Sequence, residues 1–143
     1  DLKGKTIIQS TRAGTVGVTN ASGADLIYGG SLAVASATVR ALKAHKPSKV
    51  TLVAMGLEGI KRADEDEQCA LYLRNLLQGR IPEREAVRSL IRVGEESQKY
   101  DDPETPQWPS EDREMALNID SHNFALRISK EDGFFVSRPE LIA

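Results

Sequence analysis

The chain has 143 residues, enough to bury a substantial core as one domain and too few to expect two. Hydrophobic residues at 40%, charged residues at 28% and a net charge of -2 give no broad electrostatic footprint for nucleic acid or an anionic membrane, so a partner must be read from local features. A single cysteine, Cys69, excludes an internal disulfide framework; with no apolar run near the roughly 18 residues of a membrane span and no signal-peptide order, a cytoplasmic protein is expected.

The chain opens with an apolar β-branched run at residues 5–8, breaks into small hydroxyl residues around Gly14, and resumes at helical spacing. This order reads as strand, tight loop and helix start, with the helix ending at Gly23. The first N–H groups of such a helix lack partners within it. Gly14 lets the backbone approach a ligand, Ser10, Thr11 and Thr15 carry hydroxyl donors, and Arg12 carries a fork matched to oxyanions, so one reading is an anion cradle. The other is an ordinary strand-to-helix turn with a threonine cap and a solvated arginine. Neither a Walker pattern nor GxGxxG occurs.

Residues 25–29 read as a second strand, and Ser31 as the cap of a helix that Pro47 stops after Lys46. Leu32, Ala35, Val39 and Leu42 form its apolar stripe, and His45 complements the dipole at its end. Residues 49–56 are almost continuously apolar, as a strand covered on both faces requires. Strands alternating with helices predict a layered α/β/α fold with a mostly parallel sheet, and ligands collect at the carboxyl ends of such strands. The loops at residues 10–15 and 56–64 then open on one edge. A helix follows over residues 64–77, ended by Gly79, and another starts near Pro82 and runs towards Glu95. Residues 101–109 read as a loop, residues 110–116 as a helix behind Ser110, residues 123–129 as a short helix, and Phe134-Phe135-Val136 as extended.

Four acids, Asp64-Glu65-Asp66-Glu67, open the helix at residue 64. Asp64 with Glu67 three residues on makes a capping box, which leaves Glu65 and Asp66 as hard oxygen ligands suited to Mg²⁺. A divalent ion beside an anion cradle is the arrangement phosphoryl transfer needs.

Thr11-x-x-Gly14-Thr15, Gly30-Ser31-Leu32, the strand ending in Met55-Gly56, and Glu65-Asp66-Glu67-Gln68-Cys69-Ala70 together resemble the ComB, or 2-phosphosulfolactate phosphatase, family. Ser121-His122 and Lys130-Glu131-Asp132 are similar to that family's C-terminal pattern. The resemblance implies Mg²⁺-dependent hydrolysis of a small anionic phosphate monoester carrying a sulfonate and a carboxylate. It implies Glu65 and Asp66 as metal ligands, Thr11, Arg12, Gly14 and Thr15 as substrate-binding residues, and His122 as a proton donor to the leaving alkoxide. Arg12-Ala13 stands where the family has Thr-Asn, and Asn123 follows His122 where the family has glycine. Family members also carry an N-terminal half with an Asp-Val-Leu-Arg-Ala-Thr-like motif that nothing here matches, so the chain is expected to be the C-terminal part of a longer protein. The rival from another class is a non-catalytic α/β module that binds an anion or forms a homo-oligomer.

Overall fold

Apolar residues at helical spacing in the middle of the chain set the architecture, seen in a computed structural model that describes residues 2–142. The expected domain span of 1–143 thus includes Asp1 and Ala143, which lie outside the described residues. Helix α1 is Gly14–Asn20, α2 Ala35–His45, α3 Asp64–Leu77, α4 Arg84–Arg92 and α5 Ser110–Ala116. Helix α3 packs against α2 on one side and α4 on the other. The core joins Leu32, Ala35 and Val39 to Tyr72, Leu73, Val87 and Ile91, closed by Leu117 and Ile119. Buried apolar area of this kind is the main favourable contribution to folding.

The helix ends follow from particular residues. Gly79, at φ 75, ends α3; its N–H donates to the Leu76 carbonyl and that of Arg80 to the Asn75 carbonyl, the two bonds of a Schellman motif. Glu83 caps α4 by accepting the Ala86 N–H at 2.7 Å. Ser31 and Ser110 do not cap as expected. A 3-10 turn over Leu32–Val34 precedes α2, whose first turn is capped from a distance: Asp120 accepts the Ser36 N–H at 2.7 Å and its hydroxyl at 2.8 Å. Ser110 is the first residue of α5 itself.

The sheet differs from the expected one. Strands β1 (Ile27–Gly29), β2 (Ala125–Glu131) and β3 (Phe134–Glu140) lie in the order β1-β2-β3 with both pairings antiparallel, so the fold is mixed α/β, and no parallel pairing occurs among the described residues. Residues 125–129, expected as helix, belong to the central strand. The deciding signal is Asp132-Gly133: both have positive φ, 48° and 87°, which a two-residue hairpin turn requires, and this pairs Glu131 with Phe134. Pro139 is tolerated because β3 is an edge strand.

The two apolar runs expected as central parallel strands make no ladder. Residues 6–12 and 47–55 form no backbone–backbone hydrogen bond with another described residue. Leu52 packs against the core, yet Val53 is 66% and Ile8 96% exposed. β-Branched sequence favours an extended backbone but cannot supply a neighbour, and a ladder needs one. Native-state hydrogen exchange should therefore find amides 51–54 within about tenfold of unstructured-peptide rates while amides 126–130 are strongly protected. Equal protection of the two segments would show that residues 51–54 are paired.

Candidate functional site at two converging loops

The first loop is fastened to the helix behind it. Thr11 Oγ1 accepts the Thr15 N–H at 3.1 Å, and Thr15 Oγ1 donates to the Thr11 carbonyl at 2.6 Å. Thr11 thus caps α1 from two residues before Ala13, the residue at the cap position, and a Cβ on Gly14 would stand 3.2 Å from its hydroxyl. Arg12 is not simply solvated: its guanidinium is ion-paired with Glu58 of the second loop.

The second loop is shaped by glycine and held by an acid. Gly56 has φ 66, and a Cβ there would collide with the Lys61 carbonyl oxygen, which accepts the Leu57 N–H at 2.8 Å. The Gly56 N–H donates to Asp66 Oδ2 at 2.7 Å, tying the loop to the first turn of α3. Met55 lies against α1, where a Cβ on Gly17 would stand 2.5 Å from its sulfur. A continuous run of contacts therefore leads from α1 through Met55 and Gly56 to Asp66. Beside it lies a cavity of about 140 Å³ lined by Met55, Gly56, Gly59, Lys61, Arg62 and Glu67.

The expected capping box at the acidic tip does not form. Ala63 occupies the cap position, and Asp64 makes no cap bond as the first helical residue. Glu67 binds the Arg62 guanidinium instead, because two charge-assisted bonds to that fork outweigh one to a backbone amide. This pairing holds the Glu67 carboxyl below its usual range and raises the Arg62 guanidinium. Lys61 is held by Glu95 at 2.9 Å and is raised in the same way. Glu65 is exposed, and the Asp66 side chain makes no hydrogen bond beyond that from Gly56 among the described residues.

Among the described residues no three His, Cys, Asp or Glu side chains cluster closely enough to form an all-protein metal cage. The donor set still fits Mg²⁺, which keeps several waters and commonly takes one or two carboxylates with substrate phosphate oxygens. His122 is placed elsewhere in the fold. Its N–H donates to the Ala33 carbonyl at 3.1 Å, its Nδ1 lies 2.9 Å from Ser121 Oγ, and its ring meets Phe124 edge-on.

The family model described as 2-phosphosulpholactate phosphatase matches residues 1–106, about three quarters of the chain. The chain belongs to this family. No curated protein and no solved structure gives a match. The matched residues of this family member include both loops and the acidic tip, whereas His122 and the β2–β3 hairpin lie beyond them. Sequence reasoning missed Glu58 and the Gly56 amide. Only the Gly56 and Gly59 pair hinted at a tight loop, since the Arg12–Glu58 contact bridges 46 positions.

Cys69 sits behind this site on α3. Burial, and secondarily the Asp66 charge, push its thiol up to about 11, so the nucleophilic thiolate is scarce at neutral pH. Alkylation should be slow at pH 8 and rise towards a midpoint near 11, and Asp66→Asn should move that midpoint down. A midpoint near 8.5, the ordinary thiol value, would contradict this environment.

Proposed function

We propose that this chain is the loop-bearing part of a Mg²⁺-dependent phosphatase acting on a small phosphorylated sulfonate or carboxylate such as 2-phosphosulfolactate, releasing sulfolactate and phosphate. The observation carrying the reading is the convergence of the Arg12 loop and the Asp66 helix tip through Glu58, Met55 and Gly56. Arg12 orients the oxyanions of the substrate through its guanidinium fork, and the Thr11–Thr15 clasp fixes the loop from which it projects. Asp66, with Oδ2 committed to the Gly56 amide, offers Oδ1 with Glu65 as metal ligands. When bound, Mg²⁺ offsets charge on the transferring phosphoryl group and orients the attacking water. We extend the proposal to His122 as proton donor to the leaving alkoxide in the complete protein, although its contacts here are with Ala33, Ser121 and Phe124 and not with either loop.

The layered, mostly parallel sheet belongs to the same proposal. The apolar runs at residues 5–8 and 49–56, of which residues 6–8 and 49–55 are unladdered, are its strands, and their neighbours come from the family's N-terminal half. That half supplies backbone partners for the carbonyl and N–H groups left open here. Those unladdered strands and the carboxylates already seated on Arg12, Lys61 and Arg62 favour one competing reading, a non-catalytic anion-binding module.

Phosphate release from 2-phosphosulfolactate, with and without Mg²⁺, separates the two in the polypeptide that includes the upstream half. The phosphatase reading expects turnover only with Mg²⁺. Asp66→Ala should abolish it in a folded protein, while Arg12→Ala weakens substrate binding about tenfold or more. Stabilisation by anions without turnover would support the binding module, and an Asp66→Ala protein that keeps full Mg²⁺-dependent activity would remove Asp66 from the site.

A further inference from the structure

The carboxylate seated on Arg12 has no evident folding purpose. Arg12 and Glu58 side chains are 81% and 46% exposed, and an ion pair that open to water adds little stability. Glu58 moreover holds a left-handed backbone, φ 57, between Gly56 at φ 66 and Gly59 at φ 72. A residue with a Cβ is disfavoured in that conformation, and glycine or asparagine would adopt it at lower cost. The turn is closed beneath it by the Leu57–Lys61 bridge and by the Ile60 N–H donating to the Leu57 carbonyl at 3.1 Å. Glu58 therefore stands at a turn tip, with its carboxylate on the guanidinium of the facing loop.

Guanidinium binds carboxylate and phosphate through the same fork of donors. We propose that Glu58 is a resident anion of this site, a carboxylate that occupies Arg12 until an anionic ligand displaces it. The proposal rests on the reading of Arg12 as the anion-binding residue given above. Lys61 and Arg62 are held differently, by Glu95 at the start of the 3-10 turn Glu95–Tyr100 and by Glu67 within α3. Only the Arg12 partner lies on a glycine-flanked turn, from which it can leave without disturbing a helix. Every anion that takes the fork must displace the same carboxylate, so the resident weakens monoanions and phosphate dianions alike by the fraction of time it holds Arg12.

The test is a titration of the isotopically labelled chain with inorganic phosphate at pH 8 and fixed ionic strength, following the Gly14 and Thr15 amides, with acetate as the monoanion. Glu58→Gln should tighten phosphate about two- to five-fold, the range expected for releasing an exposed ion pair. It should tighten acetate as well, since both anions displace the same carboxylate. Glu58→Gly removes the carboxylate while relieving the backbone, and should act alike. Adding Arg12→Ala to either variant should erase the gain. If Arg12→Ala weakens phosphate but both Glu58 variants leave it unchanged, the resident-anion role is overturned and the anion site stands. If Arg12→Ala leaves phosphate binding unchanged, the anion site falls and this role with it.

Discussion

The bond from the Gly56 amide to Asp66 is the constraint on which the rest of the site depends. A left-handed glycine turns the chain sharply after the apolar run of residues 47–55, and the turn would leave a backbone donor without a partner. Asp66 accepts it from the first turn of α3, so one side chain both fixes the loop and stands at the helix end where negative charge is favoured. The position of Glu58, and so its meeting with Arg12, follows from the shape given to that loop. Replacing Gly56 would force the Lys61 carbonyl aside and loosen the whole arrangement.

Behind this tip, α3 is held on two sides by apolar contact. Tyr72 and Leu73 are nearly inaccessible between α2 and α4, whereas the loops carry their polar groups at the surface. A rigid helix presenting its start to two surface loops is a familiar way of placing reactive groups precisely while leaving the loops free to vary. The paired cations of the two loops add a second property. Arg12, Lys61 and Arg62 each face a carboxylate, so the positive charge there is balanced internally.

What could be read from sequence divides along physical lines. Helices α3 and α4 were legible because their apolar positions recur at helical spacing and glycine or proline marks their ends, and these are local signals. The strands were not, because pairing is decided by what lies alongside. Residues 49–56 have the composition of a buried strand and no backbone ladder partner among the described residues, while residues 125–129 read as helix although Asp132-Gly133 marks a hairpin. Capping failed for a related reason: Asp120 serves the helix start that Ser31 was expected to cap, and Arg62 takes the Glu67 carboxylate that was expected to complete a capping box with Asp64. At the site, residue types were legible and pairings were not. The Thr11, Arg12 and Asp66 chemistry stands in the sequence, but Glu58 on Arg12 is a tertiary contact.

The central claim is that the Arg12 loop and the acidic tip of α3 form one site. Paramagnetic Mn²⁺, which prefers the same oxygen ligands as Mg²⁺, tests it directly when added to the isotopically labelled chain. The account predicts selective broadening of the Glu65 and Asp66 amides together with those of Gly14 and Thr15, about fifty residues earlier in the chain. Broadening confined to residues 64–67, with Gly14 and Thr15 untouched, would contradict it.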